Sequence, residues 1–436
     1  MDEAGSVPLV QRIAAADARV TVIGQGYVGL TLGCEAAEAG FQVIGFDVDA
    51  ERVRCLSTGT MCVPGVSEAL FANAFGTGRM RFSSDHTSVA DADVVAICVP
   101  TPLRDHAPDL SFIEAATLDL AEHLRPGSLV ILESTTYPGT TEEVVQGIIR
   151  DAGLEAGRDY LLAYSPERID PGNAEFGMRN TPRIVGGVGT EATDATVAFY
   201  SHLVDKVVPV SSPRAAEASK LLENTFRHVN IGLVNEMAML CHEMGIDVWE
   251  VLHAASTKPF GYMAFEPGPG VGGHCIPLDP TYFAWKVRRE SGRRFGVLDQ
   301  AQDVNDRMPN YVVSRIGSLL NDRSKSVRGS KVLALGVTYK PDVPDTRESP
   351  ALQTMQVLHR RGAEVRYHDP YIDEVPLNGG TTTCLDLDEG LAWADLAVLL
   401  TPHSSFDLLK IAESVPLVFD TRNAFGFARP SNVIPL

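Results

Sequence analysis

Residues 19–47 read RVTVIGQGYVGLTLGCEAAEAGFQVIGFD, and the architecture of the chain can be worked out from them. RVTVIG is typical of a buried strand, the segment 27–39 of a helix, and FQVIGFD of a second strand. Gly24, Gly26 and Gly29 form a G-x-G-x-x-G pattern where the first strand gives way to the helix. The first glycine allows a tight turn, the second lets backbone N–H groups approach a pyrophosphate, and the third lets the helix pack on the strand. The pattern predicts a dinucleotide-binding unit with the phosphates at the helix N-terminus.

The acidic residue that ends the second strand bears on the choice of cofactor. A carboxylate at Asp47 would bind both hydroxyls of the adenosine ribose and repel a 2′-phosphate, which favours NAD over NADP. Arg52 keeps NADP open, because a nearby Arg accommodates that phosphate in some proteins. Three further cofactor contacts are predicted: Tyr27, Val28 and Thr101. The alternative is a glycine-rich turn in an unrelated α/β domain.

Apolar strand-like runs alternate with helical segments in two regions of the chain. The first region continues with ADVVAICVP, SLVILEST, DYLLAYSP and RIVGGV. The second follows the basic stretch NDRSKSVRGS and contains KVLALGVT, AEVRYHD, LAVLLT and LVFDTR. Alternation of this kind predicts parallel sheets covered by helices on both faces.

Between these regions the pattern is helical. Residues 213–244 predict one long helix with a short interruption at Gly232, and 247–255 predict a second. Residues 256–281 are too rich in Gly and Pro for a regular element, and another helix starts near Pro280. The fold class is therefore α/β, with two Rossmann-like doubly wound domains joined by a central helical domain that contains a long helix. The predicted domains are 1–210, 211–325 and 326–436.

Composition narrows the possible partners. The 436 residues carry a formal net charge of −19, from 56 acidic and 37 basic side chains, which argues against nucleic acid or an anionic membrane as the main partner. The sequence contains no run of about 18 apolar residues, so no membrane span is predicted, and the first residues lack the features of a secretory signal. Seven cysteines, an odd number without a C-x-x-C pair, fit free thiols in the cytoplasm and predict no metal site.

Residues 268–280 read GPGVGGHCIPLDP, and this glycine-rich loop contains the one cysteine that we single out. Such a loop lets backbone approach a ligand and leaves the Cys275 thiol accessible as a nucleophile, provided that positive charge nearby favours the thiolate. His274 is discounted as its partner, because adjacent side chains point apart in extended backbone. Two other interpretations stay open. Cys275 could be a small buried hydrophobic residue, and Asp279 could cap the following helix.

Several longer motifs resemble a known family. GQGYVGL, ESTTYPGTTEE, YSPERIDPGN, SKLLENTFRHVNIGLVNE, GPGVGGHCIPLDP and YKPDVPDTRESP are similar, in order, to motifs of the UDP-glucose/GDP-mannose dehydrogenase family. The resemblance covers about 19–425. Within the family, TKPFGYMAFEPGPGVGGHCIP looks most like the bacterial UDP-N-acetylglucosamine 6-dehydrogenases.

The resemblance implies a role for individual residues. Cys275 would be the nucleophile, Lys220 and Asn224 would flank the reacting C6, and Thr135 would position a water or the oxyanion. Asp279 and Glu167 would be carboxylates near the substrate. Lys340 and Arg347 would act where substrate and cofactor meet, with Arg347 assigned to the cofactor. Arg422 and Gly272 would contact the substrate, as would Glu167, Lys220, Asn224 and Lys340. Ile169, in ERIDP, is a mild departure from the ERED-like sequence of close relatives.

These side chains also have ordinary structural interpretations, which remain open at this point. Lys220 and Asn224 are four residues apart and could form a solvated helix face. Glu167 could be a surface charge and Thr135 a cap at a strand end. Three basic residues could form surface ion pairs: Lys340, Arg347 and Arg422.

The implied activity is oxidation of the C6 alcohol of a UDP-N-acetylhexosamine, UDP-GlcNAc above all, to the uronic acid. It takes four electrons, uses two NAD⁺ per sugar, and would serve cell-surface polysaccharide synthesis. Domain 326–436 has no G-x-G-x-x-G after KVLALGVT and is expected to bind the nucleotide sugar. The same chemistry on UDP-ManNAc, UDP-GalNAc or UDP-glucose is an alternative. So are a two-electron sugar-acid dehydrogenase and a catalytically silent nucleotide-sugar and NAD sensor. The long helix is expected to support a homodimer or a higher homo-oligomer.

Overall fold

The structure is a computed structural model that describes residues 8–104, 107–170, 175–273 and 276–436. It divides into two compact units. The first unit comprises the chain up to Glu223 together with Thr281–Ser291, and the second comprises Asn224–Pro280 together with Gly292–Leu436. Within the described residues, no helix combines the length and the apolar character needed to cross a lipid bilayer.

The first unit contains an eight-stranded sheet in the order β10-β9-β8-β7-β4-β1-β2-β3. Its strands are β1 (Arg19–Ile23), β2 (Gln42–Phe46), β3 (Met80–Ser83), β4 (Val94–Ile97), β7 (Leu129–Leu132), β8 (Leu161–Tyr164), β9 (Arg183–Gly187) and β10 (Val207–Pro209), and a short hairpin pairs β5 (Leu103–Arg104) with β6 (Ala107–Pro108). The helices of this unit are α1 (Leu9–Ala14), α2 (Tyr27–Glu38), α3 (Ala50–Ser57), α4 (Glu68–Gly76), α5 (Ser111–His123), α6 (Gln146–Asp151) and α7 (Thr190–Tyr200), with a π-helical turn at Thr141–Val145.

Helices cover both faces of this sheet, as the sequence predicts. Val94 and Ala96 of β4 point into one apolar cluster, whereas Val95 and Ile97 point into another. Strands that bury both faces must be apolar throughout, which explains the uninterrupted apolar runs. The predicted helix at 27–39 is confirmed as α2.

The prediction of a wholly parallel sheet is wrong at one pair of strands. β9 runs antiparallel to β8, with Ala163 opposite Gly187, while β10 is parallel to β9. No helix is found in the described residues between β8 and β9, so this connection is not the helical crossover that parallel neighbours need. The first residue of β9 therefore lies at the edge of the sheet where β7 and β8 end.

The second unit contains most of the long helix and a five-stranded parallel sheet in the order β12-β11-β15-β16-β17. The strands are β11 (Lys331–Leu335), β12 (Glu364–His368), β15 (Leu396–Leu399), β16 (Val418–Asp420) and β17 (Val433–Pro435), with a separate hairpin of β13 (Glu374–Leu377) and β14 (Gly380–Thr383). The remaining helices are α8 (Pro213–Glu243), which begins in the first unit, α9 (Val248–Ser256), α10 (Asp279–Ser291), which lies in the first unit from Thr281 onward, α11 (Gly296–Asn321), α12 (Pro350–Arg360), α13 (Leu387–Trp393) and α14 (Leu408–Ser414).

The predicted interruption of the long helix at Gly232 is wrong, because α8 is continuous through that residue. Glycine costs a helix about 1 kcal/mol relative to alanine. Here it is required by packing, since a Cβ at Gly232 would lie 3.0 Å from the Cβ of Ala301 on α11. The close approach of two helices outweighs the local propensity.

Candidate active site

The turn between β1 and α2 has the geometry that a dinucleotide needs. Gly24 has φ +92°, and a Cβ there would lie 2.7 Å from the carbonyl oxygen of Cys98. A Cβ at Gly29 would lie 1.9 Å from the Gly24 carbonyl oxygen, whereas one at Gly26 would have no protein atom within 4 Å. No described side chain caps α2 at Gly26, so the helix N-terminus and the open space beside Gly26 fit a pyrophosphate. Tyr27 and Val28 form the first turn of this helix.

Asp47, at the end of β2, presents an oriented carboxylate beside this turn. Its Oδ2 accepts hydrogen bonds from the backbone N–H of Gln25 at 2.7 Å and from Arg52 Nη1 at 2.9 Å, and its Oδ1 accepts from the N–H of Asp49 at 2.9 Å. Arg52 is paired with this carboxylate. Because the carboxylate would repel a 2′-phosphate and Arg52 is already paired with it, this arrangement favours NAD over NADP. Thr101, the remaining cofactor candidate, is buried, and its carbonyl accepts a hydrogen bond from the Tyr282 hydroxyl.

The second unit has a related turn that protein groups fill. Gly336 follows β11 with φ +78°, and Asp369, which follows β12, accepts the backbone N–H of Val337 at 2.7 Å. His403 accepts the N–H of Asp342 at Nδ1, so its Nε2 carries the proton and donates to Asp369 at 3.0 Å. The acid that would bind a ribose in a dinucleotide site is thus bonded to a buried imidazole. This sheet does not carry the dinucleotide turn of the first.

Three predicted catalytic residues belong to the first unit. Thr135 lies half-buried in the loop after β7, and Glu167 lies in the loop after β8 with 9% of its surface exposed. Lys220, on α8, is 8% exposed, so it is not part of a solvated helix face. Burial alone would raise the pKa of Glu167, but the charge and hydrogen bond of Arg183, the backbone hydrogen bond from Ile169 and the Lys220 charge lower it below the usual range.

Glu167 belongs to a buried polar chain that sequence reasoning does not anticipate. Arg183 donates to Glu167 at 2.7 Å and also to Glu133, which in addition accepts a hydrogen bond from the Tyr200 hydroxyl. All four side chains are buried. The one signal in the sequence is a charged residue at the start of the apolar strand RIVGGV.

A second unpredicted residue, Glu217, joins α8 to the loop that carries Thr135. Its fully buried carboxylate accepts hydrogen bonds from the N–H of Gly139, the N–H of Thr141 at 2.9 Å and the Thr141 hydroxyl at 2.7 Å. Burial raises the pKa of this carboxyl. Glu217 precedes Lys220 by less than one helical turn, so it fixes the helix segment that carries the lysine.

In the second unit, Asn224 donates a hydrogen bond from Nδ2 to the carboxylate of Asp279. Asp279 is buried and is the first residue of α10. The predicted nucleophile Cys275 and its neighbour His274 lie outside the described residues. The structure does describe the chain on both sides of them.

The glycine loop before Cys275 is threaded between other segments of the second unit. A Cβ at Gly268 would lie 2.4 Å from Nη1 of Arg422, and one at Gly272 would lie 2.8 Å from the carbonyl oxygen of Glu348. Burial lowers the pKa of Arg422 to about 10, so the guanidinium remains charged at neutral pH. The N–H of Gly268 also donates to Asn235 on α8 at 2.9 Å. The glycines are needed here because no side chain would fit.

The segment that carries Lys340 and Arg347 contacts this loop through the backbone, since the N–H of Gly273 donates to the Arg347 carbonyl at 3.1 Å. Lys340 is half-buried. The Arg347 side chain is 64% exposed and pairs with Asp345, which is the surface ion pair left open above. Three non-glycine residues with positive φ lie in these segments, namely Asp342, Glu348 and Asn423. Such conformations cost about 1–3 kcal/mol each and cluster at functional sites.

Each unit buries groups suited to acid–base chemistry. The first unit buries Lys220 and the ionised carboxylate Glu167, which follows β8, and the second unit contains the amide–carboxylate pair of Asn224 and Asp279. Among the described residues, no group of three or more His, Cys, Asp or Glu side chains is arranged to hold a metal ion.

Family models match three consecutive parts of the chain. They describe the NAD binding domain of the UDP-glucose/GDP-mannose dehydrogenase family, at residues 18–204, its central domain, at 214–307, and its UDP binding domain, at 333–426. The chain belongs to the UDP-glucose/GDP-mannose dehydrogenase family. It is an NAD-dependent nucleotide-sugar dehydrogenase, and the turn geometry at Gly24, Gly26 and Gly29 fits that cofactor.

Individual members of the family are similar over nearly their whole length. A UDP-N-acetyl-D-mannosamine dehydrogenase of Pyrococcus horikoshii is 34% identical over 390 residues, which is 89% of this chain and 90% of the relative. A solved structure of UDP-D-ManNAc dehydrogenase from the same organism has a TM-score of 0.87 at 32% identity, covering 96% of this chain and 98% of its own. A structure of NDP-N-acetyl-D-galactosaminuronic acid dehydrogenase from Methanosarcina mazei Go1 has a TM-score of 0.82 at 29% identity, covering 99% and 98%.

Proposed function

We propose that this dehydrogenase oxidises the C6 alcohol of a UDP-N-acetylhexosamine to the carboxylate, with Cys275 as covalent nucleophile. The observation that carries the proposal is that Lys220 and Glu167, which follows β8 of the NAD-binding sheet, are both buried, and that the lysine charge helps to lower the pKa of the carboxyl. A cation and a carboxylate shielded from water are suited to stabilise an oxyanion and to move a proton.

Bound NAD⁺ supplies the hydride acceptor and is consumed twice per sugar. The protein contributes the remaining groups. The Cys275 thiolate would add to the sugar aldehyde as a thiohemiacetal, and loss of a second hydride from C6 to the second NAD⁺ would leave a thioester that water hydrolyses to the acid and the free thiolate. This splits a difficult oxidation into easier steps and prevents loss of the aldehyde. Lys220 stabilises the developing oxyanion, an effect worth about 2.7–4 kcal/mol for one such donor. Thr135 and Asn224 orient the reacting groups.

Two carboxylates are assigned to proton transfer. Glu167 is held ionised and accepts a proton through a bound water, a step typically worth about 10²–10⁴-fold in rate. Asp279, fixed by Asn224 and four residues after the proposed nucleophile in the sequence, serves the same role. Lys340, Arg422 and the backbone at Gly272 bind the nucleotide sugar, and Arg347 contacts the cofactor.

The identity of the sugar is the finer part of the proposal. UDP-ManNAc is the first candidate, because the similar dehydrogenase of Pyrococcus horikoshii carries that name, and UDP-GlcNAc, favoured by the segment before Cys275, is the second. The test is an assay of NADH absorbance with UDP-ManNAc, UDP-GlcNAc, UDP-GalNAc, UDP-glucose and GDP-mannose. The true substrate should give two NADH per sugar. We expect kcat/KM to be about tenfold or more higher for one N-acetyl sugar than for UDP-glucose, the effect of one well-placed hydrogen bond.

The same panel is run with NADP⁺, which we expect to be the poorer cofactor because Asp47 opposes its phosphate. One NADH per sugar, or turnover of UDP-glucose alone, would contradict the proposal. Binding of UDP-sugars without any NADH formation would instead favour the sensor.

We also propose that two chains associate through α8. Phe226, Leu233 and Leu240 recur every seven residues along this helix and are 45–57% exposed in the single chain, and Met244 continues the row just after the helix. An apolar row with a heptad spacing fits the packing of two identical helices related by a two-fold axis.

The free cysteines of the described chain fit the proposed cytoplasmic location.

Light scattering after size exclusion should show twice the mass of one chain for the wild type. Leu233→Glu combined with Leu240→Glu should shift the protein to monomers, because two buried charges would face each other across the interface. Leu118→Glu is the matched control, since Leu118 is 58% exposed on α5. A double variant that keeps the dimeric mass would exclude α8 as the interface.

A further inference from the structure

The buried polar chain in the first unit contains two charged residues that the proposed mechanism does not use. The chain runs from Tyr200 through Glu133 and Arg183 to Glu167. Arg183 is 3% exposed and Glu133 is 1% exposed. Burying charges is costly unless they are paired, so an arrangement of this kind calls for an explanation beyond stability.

The direction of β9 explains how Arg183 reaches this position. β9 is antiparallel to β8, so its first residue lies at the edge of the sheet where β7 and β8 end. Glu133 follows β7 directly, and Glu167 follows β8. A parallel strand would have placed its first residue at the opposite edge of the sheet.

Arg183 is fixed through all three guanidinium nitrogens. Nε donates to the Ser165 hydroxyl at 2.9 Å, Nη1 donates to Oε2 of Glu167 at 2.7 Å, and Nη2 donates to Glu133. The other oxygen of Glu167 accepts the backbone N–H groups of Arg168 at 2.6 Å and Ile169 at 2.7 Å. The Glu167 carboxylate therefore has one defined orientation.

The charges in this cluster compete with one another. Two carboxylates share one guanidinium, and the groups that face the cluster from the surrounding elements are Arg183 on β9, Glu133 after β7, Lys220 on α8, Cys98 after β4 and Tyr200 on α7. Burial raises the pKa of Glu133 despite Arg183, whereas the pKa of Glu167 is lowered. Glu133 thus draws on the same cation that keeps Glu167 ionised.

We propose that Arg183 and Glu133 are positioning residues for Glu167, in which Arg183 holds the carboxylate ionised and oriented and Glu133 limits how strongly it does so. The inference rests on the proposed role of Glu167 as the proton acceptor. A base must be ionised at the working pH, but a carboxylate held too strongly in that form accepts a proton poorly. A shared guanidinium sets the balance between these two demands.

The test is the pH dependence of kcat/KM, because loss of activity at low pH reports protonation of the base. Arg183→Met removes the cation that depresses the pKa of Glu167, so the acidic limb should move to higher pH by about one unit or more. Arg183→Lys keeps a positive charge, so the acidic limb should move in the same direction but by a smaller amount. Glu133→Gln removes a like charge and releases Arg183 to Glu167, so the acidic limb should move to lower pH.

The opposite directions of these two shifts separate positioning from mere structural support. A residue that only holds strand ends together lowers activity at every pH and leaves the limb in place. Should Arg183→Met fail to fold, Arg183→Lys keeps a buried cation and still predicts an upward shift. The matched control is Arg12→Met, which takes one of two guanidinium groups from the buried Asp93 and should leave the limb unchanged.

Glu167→Gln distinguishes failure of the inference from failure of the proposed function. We expect it to lower kcat/KM by about 10²–10⁴-fold. Full activity of Glu167→Gln would overturn the proposed role of Glu167 itself. If that variant is inactive but Glu133→Gln and Arg183→Lys keep the wild-type limb, or shift it in the same direction, only the positioning proposal is wrong.

Discussion

Cys275→Ser is expected to abolish formation of the sugar acid while leaving nucleotide-sugar binding intact. A serine hydroxyl is not ionised at neutral pH, so the aldehyde is no longer trapped on the protein and its oxidation to the acid has no covalent route. Loss of a covalent nucleophile lowers kcat by about 10³-fold or more in other enzymes. The residues assigned to the nucleotide, Lys340 and Arg422, are untouched, so the dissociation constant of the UDP-sugar should change little.

The measurements are NADH released per sugar, acid formed by mass spectrometry, and UDP-sugar binding by calorimetry. Cys62→Ser is the matched control, because Cys62 is an exposed free thiol with no assigned role. At most one NADH per sugar, with aldehyde as the product, agrees with the proposal. Two NADH per sugar at the wild-type rate would show that the sulfur of Cys275 is not needed.

Much of the fold follows from the apolar pattern, because strands buried on both faces must be apolar throughout. The two sheets are predicted in this way, the long helix from its helical apolar period, and the glycine turn and Asp47 from the G-x-G-x-x-G spacing. The direction of β9 is not, since alternation along a strand is the same whichever way the strand runs. That direction depends on the connection between β8 and β9, where the sequence offers no helical period to read.

The burial of three charged residues could not be predicted from the sequence either. Arg183, Glu133 and Glu217 each look like solvated charges, because one sequence position carries no information about the distant group that pairs with it. Glu217 is a single acidic residue on a helix, yet its carboxylate holds the backbone of a loop far away in the chain. The predicted interruption at Gly232 was wrong for a related reason, because helix propensity depends on the local sequence and carries no information about the packing neighbour Ala301.

Gly26→Ala should weaken cofactor binding without a loss of stability, whereas Gly29→Ala should lower stability, although both glycines belong to one motif. Gly26 has φ −80° and ψ −168°, which alanine adopts without strain, and a Cβ there would meet no protein atom within 4 Å. The fold should therefore be unchanged. The new methyl group would occupy the space assigned to the pyrophosphate, and we expect the dissociation constant of NAD⁺ to rise about 10- to 100-fold, equivalent to about 1–3 kcal/mol of overpacking.

At Gly29 the two contributions to stability have opposite signs, and their sizes decide the outcome. Alanine favours a helix over glycine by about 1 kcal/mol. Its Cβ, however, would lie 1.9 Å from the backbone oxygen of Gly24, which cannot rotate away as a side chain would. Moving the helix off the strand costs about 1–3 kcal/mol or more. Urea titration without ligand should therefore give a lower free energy of unfolding for Gly29→Ala than for the wild type, and an unchanged one for Gly26→Ala. Equal stabilities of the two variants would show that α2 does not pack on β1 through this glycine.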